Sequence, residues 1–154
     1  MQYPPAGLFR RLGALGYDAL IILAIEMMAG GIVIAAMFAL NGVGLLSYGG
    51  YIDASDMLSN HPVISPLYTF YLAAVWVGFF VFFWTKAGQT LGMRAWRLHL
   101  TNHEGGRITI TQALIRVATS VFGLGNLAVP FDPEKRSFQD MWAKTKMVVL
   151  PKAN

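Results

Sequence analysis

Asp18-Ala19-Leu20-Ile21-Ile22-Leu23-Ala24-Ile25-Glu26-Met27-Met28-Ala29-Gly30-Gly31-Ile32 decides the fold. Two acids stand in an otherwise unbroken apolar run that continues through Val33 to Leu40. A helix on the surface of a water-soluble domain would carry a polar face, and this segment has none. It is long enough for a bilayer core, which needs about 20 apolar residues. Working outward, the 12 Lys and Arg residues all lie outside Leu12 to Thr85. A carboxyl in a bilayer span is costly, faces a bundle interior or a wet cavity, and marks function by default.

Composition agrees with a membrane protein. Hydrophobic residues make up 55 % of the 154-residue chain and charged ones 13 %, with mean hydropathy +0.49; soluble domains carry about 25 % charged residues. The length suits one domain, residues 1–154. The net charge of +4 sits beside apolar spans, which points to anionic lipid headgroups as partners and not to nucleic acid. The absence of cysteine excludes disulfides and thiolate metal sites. The first apolar run is too long for the h-region of a cleaved leader and is expected to be a retained signal-anchor.

Two full crossings are expected, over about residues 13–40 and 67–85, joined by a linker at 41–66 that holds Asp53, Asp56 and His61 but no Lys or Arg. The second crossing is rich in aromatics, from Tyr68 to Trp84, and Lys86 ends it. Trp96-Arg97-Leu98-His99-Leu100-Thr101 and Arg107-Ile108-Thr109-Ile110-Thr111 alternate around the turn composition Asn102–Gly106. The alternation predicts a small cytoplasmic β-hairpin at 96–111. A third apolar helix at 112–131 contains Arg116 and Asn126 and leads to a basic tail, 132–154. Arg10 and Arg11 precede the first crossing, and Lys86, Arg94, Arg97 and Arg107 follow the second. The positive-inside rule therefore makes the N-terminus cytoplasmic in a multi-pass protein of the inner (plasma) membrane. A full third crossing would strand Lys135, Arg136, Lys144, Lys146 and Lys152 outside, so a re-entrant or interfacial third helix is favoured over a transmembrane one.

Arg11 and Asp18 share a helix face, but lie roughly 10 Å apart along the axis. Helical side chains lean toward the N-terminus, so Arg11 points away from Asp18. Arg116, also in an apolar helix, is the expected partner of Asp18, either as a structural tie or as part of a polar seam. Glu26 reads as a proton-carrying group or as a glutamic acid hydrogen-bonded to a neighbouring helix. His99 and His103 are weak metal candidates because they fall on a hairpin. Gly88-x3-Gly92 fits close packing at a helix start better than dimerisation. No nucleophile–base set, phosphate-binding loop or dinucleotide fingerprint is present, so neither an enzyme nor a cofactor is expected.

Phe9-Arg10-Arg11-Leu12-x-Ala14-x3-Asp18 resembles the opening of the RDD family of small membrane proteins, named for one arginine and two aspartates. Gly88–Arg94, Leu98-His99-Leu100, Gly105-Gly106, Ala113–Arg116 and Phe138–Thr145 resemble its later blocks in order. The resemblance makes Arg11, Asp18 and Asp140 the name residues. It implies transport of poorly defined ligands, with sodium–proton exchange in some members. Lys144 stands where the pattern has glycine, and Glu26 lies outside the pattern. The resulting expectation is an all-α membrane protein acting as an oligomeric transport component, assembled with itself or with other membrane proteins. Arg11, Asp18, Glu26 and Arg116 are its candidate polar residues, and Asp140 orders the tail. The alternative is a membrane adaptor or assembly factor whose buried charges are structural.

Overall fold

In a computed structural model, residues 3–152 are described. The chain divides into two compact units, Met1–Ile21 with Val77–Asn154, and Ile22–Trp76. Helix α1, Leu8–Gly42, passes from the first unit into the second, and α3, Ile64–Ala87, passes back. Both contain the expected crossings and overrun them by a few residues at each end.

The outward faces of these helices are apolar. Phe9, Leu20, Met27, Ile32 and Phe38 of α1 and Phe70 of α3 are all exposed, an arrangement that lipid tolerates and water does not. The shielded stripe of α1 contains Arg11, Ala14, Asp18, Ile22 and Ala29, at the three-, four- and seven-residue steps of one helix face. Arg11 and Asp18 thus lie on the packed side of α1.

In the second unit, Gly30 lets Tyr68 approach: a Cβ there would stand 2.5 Å from the tyrosine oxygen. Tyr71 Oη donates to the Ala29 carbonyl at 3.4 Å. The linker is not featureless. Asp53 accepts from the Asp56 N–H at 2.8 Å and so caps a short helix α2, Ala54–Asn60.

The first unit carries the rest. Thr90 caps α4, Leu91–Ala95. Strand β1, Leu98–Asn102, leads to a turn in which Asn102 Oδ1 accepts from Gly106 N at 2.7 Å. The small antiparallel sheet is present, but its second strand is not 107–111. β1 pairs with β2, Thr145–Val149, in the register Leu98↔Val149, Leu100↔Met147 and Asn102↔Thr145. Local chemistry overrides the alternation at 107–111. Thr109 accepts from Gln112 N while the Gln112 side chain accepts from Thr109 N, a capping box that starts α5, Ile110–Ser120. Val121 and Phe122 are left-handed, at φ 46° and 52°, and Gly123 follows at φ 98°. They break the third apolar helix, which continues as a 3-10 segment, Val121–Phe131. A second capping box, Ser137 with Asp140, starts α6, Phe138–Ala143. Lys144 ends it at φ 53°, the left-handed conformation in which glycine is least strained. That backbone explains why the resembled pattern has glycine there.

Among the described residues, three helices are long and apolar enough to cross a membrane: Leu8–Gly42, Ile64–Ala87 and the broken Ile110–Phe131.

Candidate functional site

Arg11, Arg116 and Asp140 converge in the first unit. The capping box fixes Asp140 on the first turn of α6, where Oδ2 accepts from Ser137 N at 3.0 Å. Arg11 Nη1 reaches the same oxygen at 2.6 Å, and Arg116 Nη1 reaches Oδ1 at 2.5 Å. All three side chains are shielded by protein, with Asp140 at 0 % exposure. Arg11 makes further bonds: Nε to the Ala6 carbonyl at 3.1 Å, Nη1 to Ser137 Oγ at 3.2 Å and Nη2 to the Lys135 carbonyl at 2.9 Å. Arg116 also donates to Thr145 Oγ1 and lies over the Trp84 ring, 5.1 Å from its centroid, within cation–π range.

Burial alone would push the Asp140 carboxyl up. The Arg116 and Arg11 charges, the Arg116 hydrogen bond and the Ser137 N–H overcome it and hold the group at about 2. Two guanidiniums share this one carboxylate, so the cluster carries one excess positive charge. Its geometry is a clamp: it fastens the head of α1, the middle of α5, the start of α6 and the start of β2 to one another.

Asp18 is not part of it, and the expected Asp18–Arg116 pair does not form. Asp18 Oδ2 accepts from Thr90 Oγ1 at 2.5 Å, and Oδ1 accepts from Gly92 N at 2.8 Å. The Thr90 hydroxyl accepts from Met93 N at 3.1 Å as it donates to Asp18. The carboxylate therefore extends the cap of α4 and docks that helix on α1. Gly92 permits the approach, since a Cβ there would overlap the Ala14 carbonyl oxygen and lie 2.9 Å from Asp18 Oδ1. Close packing at the start of α4 is the use of this glycine.

Glu26 belongs to the second unit. It shares the helix face of Ile22, Ala29 and Gly30, and its Oε1 is shielded with no hydrogen-bond partner. His99 lies on β1 and His103 in the turn beyond it; among the described residues no three metal-ligating side chains converge.

Of the five residues singled out in the sequence, three meet, one docks a different helix and one stands alone. Sequence reasoning missed Ser137, Thr145, Trp84 and Thr90, whereas the close packing expected at Gly92 is present. The Ser137-x-x-Asp140 and Thr90-x-Gly92 spacings were the available signals. A search of curated proteins and a search of solved structures give no match. The model of the RDD family matches residues 5–144. That span takes in the arginine at the head of α1, the aspartate further along it and the aspartate of α6, and the chain belongs to the RDD family.

Proposed function

We propose that the protein is a subunit of an oligomeric transport assembly in the inner (plasma) membrane, and that Glu26 is its cation- or proton-exchanging carboxyl. The activity is translocation, with no chemical transformation of the ligand. One observation carries it. Asp18 and Asp140 have both oxygens committed to bonds that hold helices together, whereas Glu26 has a shielded oxygen with no partner. An ionisable group in a span costs about 2.5–3.5 kcal/mol or more on insertion scales, and no fold-stabilising bond offsets that here. Two crossings cannot enclose a pathway, so the assembly contains several copies or other membrane proteins. In proteoliposomes, Glu26→Gln is expected to abolish cation–proton exchange while leaving the protein as stable as the wild type. Undiminished flux in Glu26→Gln overturns the assignment. No flux in the wild type favours the adaptor or assembly-factor reading, which the Arg11–Asp140–Arg116 clamp, with both Asp140 oxygens committed to helix-joining bonds, independently supports.

The topology we propose has two crossings, α1 and α3, with both chain ends cytoplasmic. The head of the chain pairs with the tail through a bridge between Pro5 and Val148, and Ala6 N donates to the Met147 carbonyl at 2.9 Å. β1, which follows α3, pairs with β2, which follows the third apolar helix. If the chain on both sides of residues 110–131 is tied to the head of α1, those residues start and finish on one side of the bilayer. The helix break at Val121–Gly123 supports an in-plane position, because backbone groups freed from regular helix are not tolerated against hydrocarbon. The exposed Ile110, Leu114, Leu124, Leu127 and Phe131 would then dip into the interface. Single cysteines at Ser47 or Ser59 are expected to react with an impermeant maleimide from outside, and those at Glu104 or Lys152 only after lysis. Labelling of Lys152→Cys in intact cells would mean that 110–131 crosses fully.

A further inference from the structure

The small sheet has a second face that neither the clamp nor Glu26 uses. β1 and β2 turn Leu98, Leu100, Thr145 and Met147 into the core, so the alternate positions His99, Thr101, Lys146 and Val148 face the other way. That face lines an open cavity of about 710 Å³ together with Tyr3, Pro5, Lys135 and Arg136. Its volume falls in the range of about 300–1,000 Å³ typical of small-molecule sites.

The charges on its walls divide into two classes. Arg11 and Asp140 are spent on each other, and Arg136 is held by Asp132 at 2.9 Å and by Glu134 at 3.5 Å. Among the described residues, Lys135 and Lys146 have no carboxylate within salt-bridge distance. Glu104, in the turn, is the one acid of the wall without a cation. His99 Nδ1 is shielded from solvent and has no hydrogen-bond partner, although buried polar atoms are normally satisfied. Lys135 is held in place from both sides. It is left-handed at φ 54°, its N–H donates to the Asp132 carbonyl at 2.9 Å, and its carbonyl accepts from Arg11 Nη2 at 2.9 Å. Two free ammonium groups, an unused imidazole nitrogen and the Thr101 hydroxyl form a set of donors awaiting acceptors.

We infer that this cavity binds a phosphate-bearing anion, with Lys135 and Lys146 supplying charge and the Nδ1–H tautomer of His99 a hydrogen bond. A phosphate offers several strong acceptor oxygens and about −1.5 to −2 charges near neutral pH as a monoester. It matches free cations better than a neutral or cationic ligand does. Such a phosphate belongs either to a lipid headgroup or to a soluble phosphate ester. The site does not depend on transport through Glu26.

The test uses the full chain in an uncharged detergent, with inorganic phosphate as the probe and chloride at matched ionic strength as the control. Phosphate is expected to raise the unfolding temperature of the wild type in a saturable way. Lys135→Gln/Lys146→Gln, both exposed positions, is expected to keep the starting unfolding temperature and to lose at least tenfold in phosphate affinity. His99→Ala, made separately, is expected to weaken binding by several-fold. No saturable response in the wild type, or an equal response in the double variant, overturns the proposal and leaves a general salt effect. Repeating the titration in nanodiscs assigns the source. Competition by phosphatidylglycerol but not phosphatidylcholine identifies a headgroup, whereas equal phosphate affinity in both identifies a soluble ester.

Discussion

Asp140→Asn is expected to destabilise the protein more than removal of either arginine that Asp140 joins. The stoichiometry of the clamp decides this. Arg116→Gln or Arg11→Gln leaves one guanidinium facing one carboxylate, a neutral pair. Asp140→Asn leaves two guanidiniums buried against each other with no counter-charge, at 2 % and 1 % side-chain exposure. Breaking a buried pair by removing one partner costs about 3–5 kcal/mol, and here a single removal strands both cations. The arginine variants lose hydrogen bonds, worth about 1.5–3 kcal/mol for charged groups. The aspartate also gives the fold an acid-sensitive component. Its folded value of about 2 lies below the ordinary 3.8. The stabilisation is therefore fully present above about 3.8 and fades as pH falls toward about 2. Denaturant unfolding in detergent at several pH values checks both points. The clamp is refuted if Asp140→Asn is as stable as Arg116→Gln, or if its acid sensitivity equals that of the wild type.

Gly92→Ala is expected to be the second most damaging change, although it adds one methyl group. The new Cβ would overlap the Ala14 carbonyl oxygen of α1, a backbone atom that cannot step aside. Relief requires α4 to lift off α1, which breaks the Gly92 N–H bond to Asp18 at 2.8 Å and loosens the one from Thr90. Overpacking of this kind costs about 1–3 kcal/mol, and the lost charged hydrogen bonds add to it. Gly16→Ala is the matched control on α1. A Cβ at Gly16 meets nothing within 4 Å, so alanine there should be neutral or stabilising by about 0.5–1 kcal/mol. Asp18→Asn should fall between the two, because an amide keeps one acceptor and loses the other. Equal thermal stability of Gly16→Ala and Gly92→Ala would remove the docking role given to Asp18.

The membrane class, both long helices and the existence of a small antiparallel sheet were legible because each rests on local pattern. The run from Ala19 to Ile25 cannot be anything but lipid-facing or deeply buried, and alternation at Trp96–Thr101 marks a strand whoever its partner is. The partner was not legible. Alternation at Arg107–Thr111 competed with a capping box at Thr109 and Gln112, and the box prevailed because it satisfies helix-end donors that a strand would leave open. Met147-Val148-Val149-Leu150 was visible only as an apolar stretch near the end of a polar, basic tail. The pairing of Asp18 with Arg116 failed for a related reason. Charge complementarity names candidates, but Asp140 already sat in a capping box that pre-oriented both its oxygens toward the arginines. Asp18 lay beside backbone and hydroxyl donors, which carry no formal charge and so leave no trace in a charge count.

Arg11 and Asp140 are 129 residues apart in the chain, and that separation sets an order of events at birth. At about 5–20 residues per second of synthesis, Arg11 emerges roughly 6–26 s before its counter-ion. In the proposed topology, α1 inserts during that interval with an unneutralised arginine at its head, the form in which a flanking cation most strongly dictates which end stays behind. Only when α6 is made can the same guanidinium meet Asp140. On that topology one side chain acts first as an orienting signal and afterwards as a lock. A ribosome that stopped short of Asp140 would leave a correctly oriented helix with nothing to fasten it.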